Sequence, residues 1–136
     1  MYRFIDHTAD IAFEIEAETI SELLRDASLA FYDAFVYVEE LKADTIREVQ
    51  VNEDSVDYLL YSWLNELLYL FDTEKFAGKF AEVEVVEGDG IAARGVLKGD
   101  ILSPEKVKME PKAITLHNFT VEKRKDIWYA FVVVDI

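Results

Sequence analysis

The chain lacks cysteine altogether and has only two prolines, five glycines and two histidines among its 136 residues. Without cysteine it has no disulfide, no thiolate nucleophile and no thiolate metal ligand. No apolar run approaches the roughly 18 residues that a membrane-spanning helix needs, and no secretory signal begins the chain. No segment has the composition of a linker. We therefore expect a soluble, cytoplasmic protein that forms a single domain over residues 1–136.

Basic residues are also scarce, because 14 lysines and arginines face 28 acids, for a net charge of −14. A protein that grips nucleic-acid phosphates needs clustered lysine and arginine. The one dense basic run, Lys123-Arg124-Lys125, lies between two predicted strands and is typical of a solvated hairpin turn rather than a phosphate patch. The acidic surface suits cations or a basic protein partner, although solubility alone also explains it. We expect no strong direct binding to nucleic acid and none to membranes.

The periodicity of apolar residues predicts an α+β fold. Thr19 and Glu22 form a capping-box pattern before a first helix that ends near Val36, and Asp54 is the predicted N-cap of a second helix whose apolar stripe runs to Phe71. Alternation and β-branched residues predict strands within residues 2–5, 11–16, 45–51, 80–86, 91–97, 112–121 and 127–134. We expect two main helices packed on one or two mainly antiparallel β-sheets, with the C-terminal strand central.

The strongest candidate for a functional site joins the two ends of the chain. Near the start, the run Asp6-His7-Thr8-Ala9-Asp10 places two carboxylates and a histidine between two predicted strands, although a simple turn or cap explains it equally well. At the end, eight apolar residues from Ile127 to Val134 predict a strand that is covered on both faces. Asp135 and the Ile136 α-carboxylate follow this strand directly, so two negative charges emerge where the core ends.

These acids predict a cation site if Asp10 reaches the end of the chain. Three carboxylates within a few ångströms repel one another unless a proton or a cation lies between them. Oxygen ligands without thiolates favour hard divalent ions over Zn²⁺. Ca²⁺ is our first expectation, with Mg²⁺ and Mn²⁺ as alternatives.

Three further features each allow two interpretations. Lys112 precedes a strand near the same predicted cluster, where it would neutralise acids or contact a phosphate, or would simply lie in solvent. The apolar pattern changes phase at His117, which indicates either a β-bulge that re-aims a side chain or an ordinary hydrogen-bonded strand residue. Tyr58, Tyr61 and Tyr69 lie off the apolar stripe of the second helix. Either this helix is packed on two sides or the tyrosines belong to a partner surface.

Four segments of the sequence resemble the archease family, and together they span the chain. They are the run Phe-Ile-Asp-His-Thr-Ala-Asp-Ile-Ala at residues 4–12, the segments Ser62–Leu68 and Lys112–His117, and the terminal Val-Asp-Ile. The opening motif is the specific one. The chain departs from the family pattern only in small ways, such as Leu116 before His117, where an aromatic residue is common.

The resemblance implies an accessory protein, not an enzyme. Such a protein activates an RtcB-type RNA-splicing ligase, which joins tRNA halves through a histidine guanylate, by promoting guanylylation and multiple turnover. Carried over by position, the family's metal ligands are Asp10, Asp135 and the α-carboxylate of Ile136. The other motif positions, with an expected part in activation that is less defined, are Lys112, His7, Asp6 and His117.

Two other classes of function remain open from the residues alone. A metal-dependent phosphohydrolase would also gather aspartates around Mg²⁺, but the sequence shows no general base, nucleophile or phosphate cradle. A general chaperone or modulator of nucleic-acid-processing enzymes would use the acidic surface and the tyrosine-bearing helix without any metal. Hydrolysis by the isolated protein would favour the first, and binding that survives chelation and loss of Asp135-Ile136 would favour the second.

Overall fold

The computed structural model describes residues 1–6 and 10–136, which form two helices and two antiparallel sheets. This arrangement confirms the predicted fold class. Two single turns of 3₁₀ helix lie at Val38–Glu40 and Pro104–Lys106. The main elements in chain order are β1 (Tyr2–Ile5), β2 (Asp10–Ala17), α1 (Ile20–Phe35), β3 (Thr45–Glu53), α2 (Val56–Glu74), β4 (Phe76–Glu87), β5 (Ile91–Ile101), β6 (Ala113–Arg124) and β7 (Ile127–Asp135).

The strands divide into a four-stranded sheet in the order β1-β2-β7-β6 and a three-stranded sheet in the order β3-β5-β4. Strand β7 therefore lies between β2 and β6, as its unbroken apolar sequence predicts. Its partner β2 comes from the other end of the chain, and the two strands pair over eight residues from Asp10 to Ala17. The fold thus brings the two ends of the chain together through backbone hydrogen bonds.

Both helices begin where local sequence signals place them. The Thr19 hydroxyl accepts a hydrogen bond from the Glu22 N–H at 3.1 Å, which caps α1 as the capping-box pattern predicts. The prediction of Asp54 as the N-cap of α2 is wrong by one residue. Ser55 occupies that position because its backbone is still extended, with φ −145° and ψ 161°, and the helix begins at Val56.

The core fills the space between the helices and the two sheets. Helix α1 packs on β2 and β4, and α2 packs on β3 and β6, so each helix contacts both sheets. Trp63 of α2 is fully buried, and its Nε1–H donates to the Ser28 hydroxyl of α1 at 2.8 Å. Its ring lies against Gly95 of β5, where an added Cβ would come within 2.8 Å of the indole. Neither helix in the described residues is long and apolar enough to span a membrane.

One buried acid ties the end of β5 to two connecting segments. Asp100 is 7% exposed and accepts hydrogen bonds from Lys106 Nζ at 2.7 Å and from the Lys42 N–H at 3.0 Å. The Lys106 hydrogen bond, followed by the Lys42 one, holds the pKa of the Asp100 carboxyl below its usual 3.8. The ionised carboxylate therefore stabilises the folded chain.

This pairing predicts a contribution of Asp100 to acid denaturation. A carboxyl with a lower pKa in the folded state stabilises the protein above its unfolded pKa and loses that effect as the pH falls through the folded value. We therefore expect the free energy of unfolding of Asp100→Asn to fall less steeply below about pH 4 than that of the unchanged protein. Urea denaturation at a series of pH values measures both slopes, with the exposed Asp126→Asn as control. Equal slopes for the Asp100 variant and the unchanged protein would contradict this role.

Candidate functional site

The pairing of β2 with β7 places Asp10 directly opposite Asp135. Opposed residues of an antiparallel pair project from the same face, with Cβ atoms about 4.5–5.5 Å apart. The next pair inward is Ile11 opposite Val134, and Val134 is fully buried, so the core anchors the strand up to the last residue before the acid. Asp10 is half-buried and Asp135 is exposed. The register thus holds two carboxylates side by side at one end of the four-stranded sheet, referred to below as the acidic end.

The acidic end lies on the sheet face that points away from the helices. Phe13 and Ile15, on the opposite parity of β2, are fully buried in the core. Asp10 therefore shares its outward face with Glu14, and Asp135 shares it with Phe131 across the pair. The two carboxylates consequently face a surface that a cation or a partner can reach.

Strand β6 borders Asp135 on its other side. The Lys112 N–H donates to the Asp135 carbonyl at 2.7 Å, and Ala113 lies opposite Asp135 in the register. Lys112 is exposed. Its backbone is therefore fixed one residue from the acidic end.

The remaining motif residues are more distant or fall outside the described part of the chain. Asp6 is exposed and directly follows β1. His117 lies in an irregular stretch of β6 between Thr115 and Thr120, where the register shifts and Asn118 has a φ of 57°. The bulge that the change of phase predicts is therefore confirmed. Because His117 is four residues along β6 from Ala113, it lies roughly 10–13 Å from the acidic end. His7 is outside the described residues.

The donor set at the acidic end suits a hard divalent cation. Like charges directly opposite each other in an antiparallel pair destabilise the pairing unless a proton or a cation intervenes. Among residues 1–6 and 10–136, no group of three or more histidine, aspartate or glutamate side chains is placed to hold a metal ion. The Ile136 α-carboxylate as a third ligand beside Asp10 and Asp135 stays a prediction. Oxygen atoms of this kind are the ligands that Ca²⁺ and Mg²⁺ prefer.

A second charged feature, which the sequence did not predict, crosses the same sheet face toward the opposite end of β7. The Glu14 carboxylate accepts a hydrogen bond from the Tyr129 hydroxyl at 2.8 Å and pairs with Arg3. The Arg124 guanidinium lies 3.7 Å from the centre of the Tyr129 ring and pairs with Glu122 at 2.6 Å. The parity of Glu14 along β2 was a signal for its face, but only the register shows its partners.

The contacts of Arg124 in this second charged feature also explain part of the basic run at residues 123–125. Arg124 stacks on Tyr129, and Lys123 lies 5.8 Å from the centre of the Trp128 ring. Lys125 adopts a φ of 58° in the turn between β6 and β7. Two of the three cations thus cover aromatic rings of their own hairpin, which supports the interpretation as a solvated turn.

Comparison with known proteins identifies relatives over the whole chain. Residues 2–136 match the Archease protein family (MTH1598/TM1083). A protein archease of Archaeoglobus fulgidus is 58% identical over 135 residues, which cover 99% of this chain and 98% of the relative. The solution structure of Methanobacterium thermoautotrophicum protein 1598 superposes with a TM-score of 0.83 at 27% identity, covering 99% and 98% of the two chains. The crystal structure of a Thermotoga maritima archease, described as a possible chaperone, has a TM-score of 0.63 at 22% identity over 97% and 94%.

Proposed function

Because the chain belongs to the archease family, we propose that it activates an RtcB-type RNA ligase by promoting guanylylation and multiple turnover of the ligase. The observation that carries the proposal is the placement of Asp10 opposite Asp135 at the outward-facing end of a central strand. Within this proposal the protein is an activator and has no turnover of its own.

The proposed metal ligands are Asp10, Asp135 and the α-carboxylate of Ile136. A bound divalent ion, Ca²⁺ in the first instance, would neutralise their charge and present an oxygen-coordinated cation at the surface. The chain supplies the rigidity, because the buried residues Val132, Val133 and Val134 fix the strand that carries Asp135. Carboxylates held this way need little reordering when they bind an ion.

The chemistry of the ligase explains why such a surface would help. In guanylylation a histidine of the ligase takes the guanylyl group from GTP and pyrophosphate leaves, so the rate depends on positioning of the reacting groups and on neutralisation of phosphate charge. We propose that the acidic end docks at the nucleotide-binding mouth of the ligase and helps to organise its metals and GTP. Lys112, whose backbone is bonded to Asp135, would contact a phosphate or an acidic group there.

The test is a guanylylation assay with purified ligase, GTP and this protein. We expect Asp10→Asn and Asp135→Asn each to reduce the stimulated rate by at least about 10- to 100-fold, because even the outer partners of metal ligands are worth that much. Asp126→Asn, which removes an exposed acid at the other end of β7, is the matched control and should stimulate normally. Full stimulation by both acidic-end variants would overturn the proposal.

A second pair of variants separates the Ile136 side chain from its carboxylate. Ile136→Ala keeps the α-carboxylate in place and should stimulate guanylylation normally. A glycine added after Ile136 moves that carboxylate by about 3.5 Å along the chain and should reduce stimulation as strongly as Asp135→Asn. Equal activity of the extended and unextended proteins would exclude Ile136 from the ligand set.

The description of the Thermotoga maritima relative as a possible chaperone supports one alternative. A general chaperone would bind unfolded clients through exposed apolar side chains, and its binding would not depend on the acidic end. Suppression of aggregation of an unrelated unfolded protein that is equal for Asp135→Asn and the unchanged chain, together with no effect on guanylylation, would favour this function.

A further inference from the structure

Helix α2 presents a line of polar and aromatic side chains that neither sheet covers. Tyr58, Asn65, Tyr69 and Asp72 follow one another at intervals of seven, four and three residues, which places them on one face of a helix. Tyr58 and Tyr69 are each 59% exposed. Packing of α2 on two sides therefore does not account for these tyrosines, and two large rings lie in solvent.

This line is continuous with the bulge of β6. Tyr61, on the flank of the line, packs edge-on against Phe119, with ring centres 5.7 Å apart. Leu116, in the same bulge, is 63% exposed. We refer to Tyr58, Tyr61, Tyr69, Leu116 and Phe119 as the tyrosine face. Aromatic side chains of this kind are enriched in the centres of protein interfaces.

Acids outnumber bases around the tyrosine face. Helix α2 contains four acids, Asp57, Glu66, Asp72 and Glu74, and no lysine or arginine. Glu74 is paired with Arg47 at 2.6 Å. The other three acids are exposed. Lys75, the C-cap of α2, is a neighbouring cation, and its Nζ donates to the Asp72 carbonyl at 3.0 Å. A surface that combines exposed tyrosine rings with a majority of carboxylates is complementary to arginine, which stacks on aromatic rings and binds carboxylates through two N–H groups.

We infer that the tyrosine face is a docking surface for a protein surface rich in arginine and lysine. This inference rests on the proposed function, because an enzyme that handles RNA carries such a basic surface around its substrate. The acidic end faces away from the helices, so a partner that contacts both regions has to extend around the edge strand β6. Strand β6 runs from Ala113 at the acidic end to Leu116 in the bulge, a distance of roughly 10 Å. The acidic end would then act on the chemistry of the ligase while the tyrosine face supplies affinity.

The test compares binding with catalysis in the same variants. We expect Tyr58→Ala/Tyr69→Ala to raise the Kd for the ligase by about 10- to 100-fold. The stimulated guanylylation rate should return to normal when the variant is present at saturating concentration. Phe80→Ala, at a 55% exposed aromatic residue on the three-stranded sheet, is the matched control and should bind normally. Thermal unfolding checks that both variants fold.

Two further measurements distinguish a basic protein partner from other occupants. Glu66→Gln/Asp72→Asn should weaken binding at low salt and reduce its dependence on NaCl concentration. Tyr58→Phe/Tyr69→Phe retains the rings and should restore most of the affinity that the alanine variant loses. If the alanine variant instead loses direct binding to tRNA and keeps its affinity for the ligase, the face binds nucleic acid and the inference is wrong.

Failure of this inference is separable from failure of the proposed function. An alanine variant that binds and stimulates the ligase as the unchanged protein does would overturn the inference alone. An unchanged protein that neither binds the ligase nor stimulates guanylylation would overturn both. The Asp135→Asn protein provides the reciprocal control, since a saturating concentration of it should not restore stimulation.

Discussion

Calcium should stabilise the unchanged protein by about 2.7 kcal/mol at a hundred times its dissociation constant, and should not stabilise Asp135→Asn at all. The reason is linkage, since a ligand that binds only the folded chain adds its binding free energy to stability. The folded chain alone holds Asp10 opposite Asp135, because these residues are 125 positions apart in sequence and meet only through the β2–β7 register. Urea denaturation with calcium and with a chelator measures both quantities.

Without metal, the same experiment should show the opposite order of stability for Asp135→Asn and the unchanged protein. In chelator, two carboxylates face each other across the pair and repel, so Asp135→Asn should be more stable than the unchanged protein by a few tenths to about 1 kcal/mol. Asp126→Asn should respond to calcium as the unchanged protein does. Stabilisation of Asp135→Asn by calcium to the same extent as the unchanged protein would show that the ion binds elsewhere.

Replacing Trp63 by alanine should lower the free energy of unfolding by about 3–5 kcal/mol. The indole is fully buried where α2 meets α1 and β5, so its loss removes apolar contacts from all three elements and leaves a cavity. The surroundings are closely packed, because a Cβ added at Gly95 would come within 2.6 Å of the Glu82 carbonyl oxygen on the neighbouring strand. Urea denaturation of the variant against the unchanged protein measures the loss.

Two variants separate the contributions at Trp63. Trp63→Phe keeps an aromatic ring but loses the hydrogen bond to Ser28, and we expect a smaller cost of about 1–3 kcal/mol. Ser28→Ala also removes that bond and leaves the indole N–H buried without a partner, which costs about 1–3 kcal/mol. A cost below about 1 kcal/mol for Trp63→Ala would contradict the central position of this side chain.

Local signals in the sequence were sufficient to predict the main helices and strands and the central position of β7 in its sheet. The Thr19 cap is a contact over three residues, and the apolar run from Ile127 to Val134 marks a strand covered on both faces wherever its partners lie. The bulge near His117 was predictable for the same reason, because a change of phase within one strand is a local pattern.

The sequence did not predict which strands are neighbours. Parity places Asp135 on one face of β7, but it does not identify β2 as the neighbour or Asp10 as the opposed residue. The division into two sheets and the hydrogen bond from Tyr129 to Glu14 depend in the same way on pairings between distant segments. The tyrosines of α2 were ambiguous because periodicity shows that a side chain lies off the core stripe, and it does not show whether another element covers it.

The central claim is that the β2–β7 register builds a divalent-cation site from the two ends of the chain. A crystal structure of the unchanged protein grown with millimolar calcium tests it most directly. We predict one calcium ion at the acidic end, with oxygen ligands from Asp10, Asp135 and the Ile136 α-carboxylate at about 2.3–2.6 Å. A structure in which the two aspartates lie opposite each other without an ion between them, at a calcium concentration that saturates the protein, would contradict it.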